Sequence, residues 1–534
     1  MTEHRVVIAG AGPVGVIAAI LLARRGIPSV IIERHAEAYG LPRAVHIDDE
    51  VFRALQDVGV AEEFAAISRP MPGMRLLDAS YRTMAEFERS TEPSINGYPQ
   101  ANFFDQPDLE RILRDAMATY QQIELRTSTE VVFLEHADEA VRVLLRDVTS
   151  GAEEWLTAPA LLGCDGARST VRDLIGSSVE SLGYDESWCV VDARCDEQLP
   201  VWAGMYQVCD PARATTFGQI GADRYRWEFH LAEGEESADI LEESTLRSLV
   251  APVLGDVPFE SLDFIRSAQY TFRAQVADRW RSGRVFLLGD AAHLTPPFVG
   301  QGLCAGIRDA LNLTWKLDFV LERGAPEALF DTYEAERKPH AKKFIRLAML
   351  VGWAMTGGQD RAATVRKGTL AVASRVPGFS QAVVSQAAPP VTGTPLVRRP
   401  RVGRSVAGAL MPQPWVMHEG RRTRLDEVLG ADFAVVVRGV PDWEERYLAE
   451  RLAAKLVCVM PLGSGVGIDD AAVVEDAEGA LIPWMGRRKV DTVIVRPDRI
   501  VLDAMSRRDL RHAGLQRDAE WLRLVEPRRL VAVD

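Results

Sequence analysis

Glycine-rich turns that could bind phosphate follow apolar runs at three points of the 534-residue chain. The first is Gly10-x-Gly12-x-x-Gly15, inside "VVIAGAGPVGVIAAILLA". Such glycines allow a tight turn, a close approach of a pyrophosphate to the backbone, and close packing of a helix on a strand. The start of the helix then offers free N–H groups and a positive dipole end to the phosphates. The pattern predicts a dinucleotide site.

An acidic residue strengthens this prediction. Glu33 ends the next predicted strand, "PSVIIERH", where a carboxylate can accept a hydrogen bond from a ribose hydroxyl. The glycine pattern alone is weak evidence, because a glycine-rich turn can be purely structural. Strand, turn, helix and acid together favour nucleotide binding over that alternative.

Two further turns extend the predicted site. "GCDGARSTVR" (163–172) could by itself be a mere hairpin. In "GDAAHLTPPFVGQGLCAGIRDALNLTWKL" (289–317), Asp290 follows the apolar strand "RVFLL" and could accept a hydrogen bond from a ribityl-type hydroxyl. The helix after Gly300-Gln301-Gly302 would point its N–H groups at the same site. Three such turns from one sheet imply one extended ligand, bound by a domain that insertions divide.

Composition excludes several other classes of site. The net charge of −14 argues against a nucleic-acid partner, which needs a basic face. The six cysteines lack C-x-x-C spacing, so we expect buried thiols of a cytoplasmic protein and no metal site. There is no H-E-x-x-H or G-x-S-x-G motif. A second G-x-G-x-x-G is also missing, so the sequence carries a single dinucleotide fingerprint.

The length suggests about three domains. Residues 6–23 carry no charge but read as strand, turn and helix rather than as a membrane span. The βαβ start predicts a doubly wound parallel sheet, and "IELRTSTEVVFLEHADEAVRVLLRD" predicts antiparallel strands. Turn-separated strands from 181 to 270 predict an inserted sheet domain. "AAPPVTGTPLVRRPRVGRS" predicts a linker, with a small α/β domain beyond it.

Together the three turns resemble those of the class A flavoprotein aromatic hydroxylases, the family of para-hydroxybenzoate hydroxylase and phenol hydroxylase. "INGYPQANFFDQPDLE" and "RYRWEFHL" are most similar to the 3-(3-hydroxyphenyl)propionate hydroxylase branch. The resemblance implies an α/β fold with a Rossmann-like FAD domain split by insertions, an inserted mixed β-sheet substrate domain and a thioredoxin-like C-terminal α/β domain. The implied ranges are 1–75, 100–180 and 271–390 for FAD, 76–99 and 181–270 for substrate, and 396–534 for the C-terminal domain.

The resemblance also implies a set of FAD-binding residues. They are Gly10, Gly12, Pro13, Gly15, Glu33, Arg34, Arg43, Gln106, Asp165, Asp290, Gly300, Gly302, Leu303 and Cys304. Leu303-Cys304 departs from the family, many of whose members carry Asn two residues after the last glycine of G-Q-G. Because backbone N–H groups contact the flavin ring there, we expect the site to survive, with Cys304 as a small buried filler. The C-terminal region lacks C-x-x-C, so no dithiol redox role follows.

The reaction implied is a monooxygenation. NAD(P)H, a transient co-substrate, would reduce FAD, and O2 would then form a flavin C4a-hydroperoxide that hydroxylates a phenol. The cofactor performs the hard step, and the protein supplies position, electrostatics and exclusion of water. A 3-hydroxyphenyl alkanoic or alkenoic acid, such as 3-(3-hydroxyphenyl)propionate, would be hydroxylated ortho to its hydroxyl to give a catechol.

The resemblance and the residue types suggest four catalytic residues. Arg43 would lie near the flavin ring, and Pro296 would face the substrate through its carbonyl. His46 is the candidate base because of its ordinary pKa range, although a histidine on a strand is more often packed or exposed. Asp105 is a second candidate, whose alternative role is a charge at a helix N-terminus. His293 is expected to hold the turn through hydrogen bonds.

Recognition of a substrate carboxylate would need an arginine. Arg194, Arg213 and Arg226 are open candidates, whereas the aromatic set Tyr225, Trp227 and Phe229 favours sheet packing over a substrate cage. Hydroxylation of larger polycyclic or polyketide phenols, and a non-catalytic flavin-binding protein, remain alternatives. We expect small-molecule partners only, no membrane span, a cytoplasmic location, and compatibility with a homodimer.

Overall fold

A computed structural model describes residues 5–37, 44–210, 212–356, 389–398, 406–513 and 520–526. Arg43 and much of the predicted linker lie outside these residues. Within them, no helix combines the length and apolarity needed to cross a membrane. None of the six cysteines forms a disulfide.

A six-stranded sheet, here the parallel sheet, carries the three turns. In spatial order its strands are Arg281–Ser282, Val285–Leu287, Leu161–Gly163, Val6–Ala9, Ser29–Ile32 and Ile123–Arg126. All neighbours pair in parallel except the first two. Its central strands are fully buried, which explains their continuous apolar sequences.

The sequence prediction for Ile123–Arg126 was wrong in one respect. This strand does not join the antiparallel strands that follow it but pairs in parallel with Ser29–Ile32. It is reached through the helix Gln106–Met117 rather than through a hairpin, so the chain can return in the parallel direction. The predicted strand-turn-helix at the N-terminus is confirmed, with Val6–Ala9 followed by the helix Pro13–Ala23.

An eight-stranded mixed sheet, here the large sheet, is the second large unit of the chain. In spatial order its strands are His293–Leu294, Asp263–Ala277, Val179–Arg194, Arg224–His230, Thr215–Gln219, Met205–Val208, Gly73–Leu77 and Thr83–Glu88. Its first strand belongs to the third glycine-rich turn. The large sheet is therefore joined directly to the predicted flavin site.

The two faces of the large sheet differ in chemistry. Tyr225, Trp227 and Phe229 belong to an apolar core with residues of the helices Ser237–Leu241 and Glu243–Leu254. The predicted sheet-packing role of this aromatic set is thus confirmed. Because side chains alternate along a strand, the polar residues between them occupy the opposite face, here the inner face.

Smaller elements connect these sheets. An antiparallel sheet contains Thr129–Ala137, Ala140–Asp147 and Glu153–Ala158, and another contains His46–Asp48, Ala101–Phe103 and Arg69–Pro70. Further helices are Asp49–Asp57, Ala61–Ile67, Thr170–Leu174, Gly302–Leu321 and Ala328–Thr356. Short 3-10 turns occupy Phe259–Ser261, Gly289–Ala291 and Pro297–Val299.

A seven-stranded sheet forms the C-terminal unit. In spatial order its strands are Arg421–Arg424, Trp415–His418, Ala472–Asp476, Lys455–Pro461, Ala434–Arg438, Thr492–Val495 and Val501–Met505. Its helices are Leu425–Leu429, Trp443–Arg451, Leu481–Arg488, Arg507–Ala513 and Glu520–Val525.

Buried charges connect the C-terminal unit to the rest of the chain. Two nitrogens of Arg496 donate to Glu336 at 2.8 and 2.9 Å, and the guanidinium also contacts Asp498 at 2.6 Å. Lys316 donates to Glu336 at 3.0 Å. Burial alone would raise the pKa of Glu336, but the charges of Arg496 and Lys316 lower it below its usual range. The contact is therefore a fully paired ionic cluster.

Candidate functional site

Of the three glycines in the first turn, Gly12 alone has open space beside it, at the place where a phosphate would bind. A Cβ at Gly10 would lie 2.4 Å from the Cys164 carbonyl oxygen, and one at Gly15 would lie 2.1 Å from the Gly10 oxygen. A Cβ at Gly12 would meet no atom within 4 Å. Gly10 and Gly15 thus serve the packing of the turn, whereas Gly12 faces free space beside the helix N-terminus, which fits a pyrophosphate.

Glu33 is held against this turn. Its two carboxylate oxygens accept hydrogen bonds from the backbone N–H groups of Ala11 and His35, each at 2.9 Å. These bonds fix the carboxylate at the end of its strand, where an adenosine ribose would lie. Pro13 begins the helix, and Arg34 is exposed.

The helix Gln106–Met117 contributes two side chains. Gln106 accepts a hydrogen bond from the Ala44 N–H at 2.8 Å. It therefore fixes the residue that follows Arg43, which was predicted to contact the flavin. Arg114 donates to the Ala11 carbonyl at 3.1 Å. Sequence reasoning missed Arg114; the available signal was a cation beside the apolar positions of this helix.

The second and third turns are bonded to each other. Asp165 accepts hydrogen bonds from Ser169 Oγ and from the Val171 N–H, the latter at 3.0 Å, and burial raises its pKa. Arg172, at the start of the following helix, donates to the Ala291 carbonyl at 3.2 Å. Asp290 therefore lies in a turn that the "GCDGARSTVR" segment supports directly.

His293 has a structural environment. Its Nε2 lies 2.8 Å from Asp309, which also accepts from the Gly289 N–H at 3.0 Å and from Arg337 at 2.8 Å. Burial alone would raise the pKa of Asp309, but the charges of His293 and Arg337 lower it. This geometry matches the expected role of His293 in holding the turn.

The helix that begins at Gly302 is anchored by charges that sequence reasoning did not assign. Gln301 donates to Asp48 at 3.0 Å and accepts from Arg308 at 3.0 Å. Arg308 also donates to Asp48 and, at 2.7 Å, to Glu50. A Cβ at Gly302 would meet no atom within 4 Å, so the helix start is open for a flavin ring. Leu303 is half-buried and Cys304 is fully buried.

His46 lies beside this helix start. Its Nδ1 is 3.4 Å from the Gly300 carbonyl oxygen, and the imidazole is buried. Burial, with the charge of Arg89, lowers the pKa of His46 to about 4. The ring is neutral at pH 7 and would take the proton of a phenol poorly.

Asp105 is engaged in ion pairs. It lies at the start of the helix Gln106–Met117, forms a salt bridge with Arg224, and is 3.6 Å from Arg266. Both arginines belong to the inner face of the large sheet. Pro296 is buried immediately before the 3-10 turn Pro297–Val299.

The three arginines considered for carboxylate recognition have acidic neighbours. Arg226 donates to both oxygens of Asp192 at 2.7 and 2.9 Å. Arg213 pairs with Glu235 at 2.8 Å. Arg194 lies 3.8 Å from Asp223, and both side chains are exposed.

The inner face closes over the loop that follows Pro296. Gln207 donates to the Phe298 carbonyl at 3.3 Å, and the rings of Tyr184 and Trp188 both lie edge-on to Phe298 at 5.7 Å. On the other side, Met205 packs with Phe103. The inner face thus contacts the Pro296 loop on one side and the strand Ala101–Phe103 on the other.

Comparisons with known proteins agree with this geometry. A family model described as an FAD binding domain matches residues 3–348, and one described as the HcaD C-terminal domain matches residues 408–519. A 3-(3-hydroxy-phenyl)propionate/3-hydroxycinnamic acid hydroxylase from Burkholderia cenocepacia is 34% identical over 524 residues, 93% of each chain. The chain belongs to the family of FAD-dependent aromatic hydroxylases. A hydroxylase of the same description from Shigella sonnei is 32% identical, covering 93% of this chain and 91% of its own.

Solved structures of hydroxylases share the fold. Aklavinone-11 hydroxylase, in a ternary complex with FAD and aklavinone, has a TM-score of 0.78 at 25% identity, covering 99% of this hydroxylase and all of its own chain. Anhydrotetracycline hydroxylase from Streptomyces rimosus has a TM-score of 0.76 at 25% identity, covering 98% and 99%. This hydroxylase is therefore an FAD-dependent monooxygenase, and the open positions at Gly12 and Gly302 fit the cofactor.

Proposed function

We propose that this hydroxylase acts on a 3-hydroxyphenyl carboxylic acid with a three-carbon side chain, such as 3-(3-hydroxyphenyl)propionate, and forms a catechol by hydroxylation ortho to the existing hydroxyl. The observation that carries the proposal is the similarity to relatives described as hydroxylases of such acids, which extends over 93% of both chains. The polar inner face beside the Pro296 loop gives such a substrate groups to bind.

The overall reaction consumes one phenol, one O2, one NAD(P)H and one proton, and yields one catechol, one NAD(P)+ and one water. Bound FAD supplies the redox chemistry that takes a hydride from NAD(P)H and activates O2. The protein holds the cofactor and substrate, excludes water and handles the proton of the phenol.

The roles of the cofactor-binding residues follow their positions. Glu33 would bind the adenosine ribose, and Gly12 would allow the pyrophosphate to approach. Asp290, in the turn supported by Arg172, would bind the ribityl chain. Backbone N–H groups at the start of the helix Gly302–Leu321 would face the flavin ring, at residues 303 and 304.

Four residues complete the proposed site. Arg43 would lie beside the flavin ring, with the chain next to it fixed by Gln106. The Pro296 carbonyl would face the substrate ring. The roles of His46 and Asp105 as proton acceptors stay predictions. A buried neutral imidazole and an ion-paired carboxylate are both weak bases.

The substrate carboxylate would bind near Arg224 and Arg266. These side chains remain 16% and 15% exposed, whereas that of Arg226 is 3% exposed and doubly bonded to Asp192. Asp105 contacts both Arg224 and Arg266, so Asp105 and a bound substrate carboxylate would share the positive charges of the two arginines.

The organisation of the chain is part of the proposal. The parallel sheet would form the FAD domain and the large sheet the substrate domain, with the predicted boundaries at 76–99 and 181–270. The C-terminal unit would be a thioredoxin-like domain without a dithiol. A cytoplasmic location and a homodimer are further predictions, the latter testable by light scattering.

Oxygen uptake with a panel of phenols tests the substrate class. We expect NAD(P)H-dependent uptake with 3-(3-hydroxyphenyl)propionate or 3-hydroxycinnamate and formation of the corresponding catechol. The structural similarity to hydroxylases described with aklavinone and anhydrotetracycline favours polycyclic phenols as a second candidate. Uptake with anthraquinone-like compounds but not with phenylpropionates would support that candidate instead.

A further inference from the structure

Glu228 occupies the middle of the inner face. It lies in the strand Arg224–His230, opposite Thr216, which in turn lies opposite Gln207. Gln207 donates to the Phe298 carbonyl. This row of cross-strand neighbours therefore runs from Glu228 to the loop that follows Pro296, where the substrate ring is expected.

Glu228 differs from the other acids of the inner face in its bonding. Asp192 accepts from Arg226 and Arg266, and Glu186 accepts from the Tyr184 hydroxyl at 2.7 Å. The nearest cation to Glu228 is Arg226, 3.9 Å away, and the carboxylate accepts no hydrogen bond from the described part of the chain. Its side chain is only 12% exposed.

An acid in this environment costs folding stability, because burial of a carboxylate without donors is unfavourable. Burial, together with the charge of Asp192, raises the pKa of Glu228, although Arg226 lowers it. Such costs are characteristic of functional positions, where a ligand supplies the missing partner. A phenolic hydroxyl is a donor of the right kind.

We propose that Glu228 accepts the hydrogen bond of the substrate hydroxyl and takes its proton as the ring is hydroxylated. The O–H bond of the phenol breaks, its electron pair remains on the oxygen and increases the electron density of the ring, and the proton forms an O–H bond with the Glu228 carboxylate. Release of that proton to water restores the carboxylate. This role rests on the proposed function and refines it.

The neighbouring charges determine how Glu228 responds to pH. Arg226 precedes it by two residues and His230 follows by two, with His230 lying 3.6 Å from Glu186. Asp192 belongs to the adjoining strand Val179–Arg194 and Arg266 to the next strand beyond it, Asp263–Ala277, and Asp105 lies 3.6 Å from Arg266. Protonation of Glu228 at low pH would remove the acceptor, so hydroxylation would fall as pH falls through its raised pKa.

The variant Glu228→Gln tests the role while preserving shape. We expect FAD content and substrate-stimulated NAD(P)H oxidation to persist, but the yield of catechol per NAD(P)H to fall at least about 10-fold, in line with loss of a general base. Hydrogen peroxide would account for the remaining oxygen consumed. Glu228→Asp, which keeps a carboxylate, should recover part of the yield, and Glu233→Gln, an exposed change shortly after the same strand, should match the wild type.

Ring-fluorinated substrates separate a catalytic role from a structural one. Fluorine makes the phenol more acidic, so Glu228→Gln should gain more in yield from fluorination than the wild type does. Equal yields in Glu228→Gln and wild type, or an equal gain from fluorination, would overturn the role of Glu228 alone. A wild type that hydroxylates no phenolic acid would instead overturn the proposed function.

Discussion

Arg308 donates to the carboxylate of Asp48 across a sequence separation of 260 residues. The bond ties the helix that begins at Gly302 to the strand His46–Asp48, and Gln301 joins the same cluster. The open end of the helix that we propose faces the flavin ring is thus fixed by a buried ion pair. Burial alone would raise the pKa of Asp48, but the charge of Arg308 lowers it.

Substitution of Arg308 by Met should destabilise the protein by about 3–5 kcal/mol, because it leaves the buried Asp48 and the half-buried Glu50 without their cation. FAD affinity should fall as well, since the helix start loses its anchor. Denaturant unfolding and FAD titration measure both effects. Arg146→Met, which removes an exposed pair with Glu130, should cost at most about 1 kcal/mol. Similar losses in the two variants would contradict this interpretation.

The first glycine turn predicts opposite effects for two neighbouring alanine variants. Gly10→Ala should misfold, because its φ of +102° is strained for alanine and its Cβ would overlap the Cys164 carbonyl. Gly12→Ala should leave the thermal midpoint of the apoprotein within about 2 °C of wild type but weaken FAD binding at least about 10-fold.

Gly467→Ala is the matched control for this pair. A Cβ there also meets no atom within 4 Å, but the position lies in the C-terminal unit. Its stability and FAD affinity should equal those of wild type. Unaltered FAD binding by Gly12→Ala would place the pyrophosphate elsewhere.

His46 predicts part of the pH dependence of stability. Its pKa is about 4 in the folded protein, against an ordinary value of 6.5. Between these values the unfolded chain binds a proton that the folded protein does not, so stability falls as pH falls through this window, by up to about 3 kcal/mol. His46→Gln should lose less stability than wild type between pH 7 and pH 4.5 in denaturant unfolding. Parallel curves for the two proteins would contradict the buried neutral state.

Glu336 predicts a second dependence of folding stability on pH, at lower pH values than that of His46. Its lowered pKa means that its contribution to stability is present above the ordinary carboxyl pKa and is lost as pH falls through the folded value. Glu336→Gln should cost about 3–5 kcal/mol at pH 7, because Arg496 and Lys316 lose their shared carboxylate, and the cost should shrink towards acid. Thermal unfolding from pH 7 to pH 3 measures this, with the exposed Glu63→Gln as control. A cost independent of pH would argue against an ionic role.

Much of the fold was predictable because its signals are local. The glycine pattern and the apolar run after it predicted Val6–Ala9 and Pro13–Ala23, and strand-like segments separated by turns predicted the strands of the inserted sheet. Alternation of apolar and polar residues in "RYRWEFH" separates Tyr225, Trp227 and Phe229 from the polar inner face. Glu228 could therefore have been assigned to that face from the sequence.

The ionic partners were not predictable, because their spacing carries no local signal. Asp105 was considered a helix charge or a base, yet it pairs with Arg224, 119 residues further along the chain. Arg496 lies in the C-terminal region, for which the sequence indicated only a family resemblance, yet it bonds to Glu336, 160 residues before it. Such pairs depend on how separate sheets are placed, which only the folded chain reveals.

The most direct test of the central claim is product analysis with purified, FAD-loaded enzyme. 3-(3-Hydroxyphenyl)propionate, NAD(P)H and O2 should be consumed in a ratio close to 1:1:1, with 3-(2,3-dihydroxyphenyl)propionate as the product. Incorporation of one atom from 18O2 into the new hydroxyl should accompany it. Oxidation of NAD(P)H that yields only hydrogen peroxide with every phenolic acid, or a preparation that binds no FAD, would contradict the account.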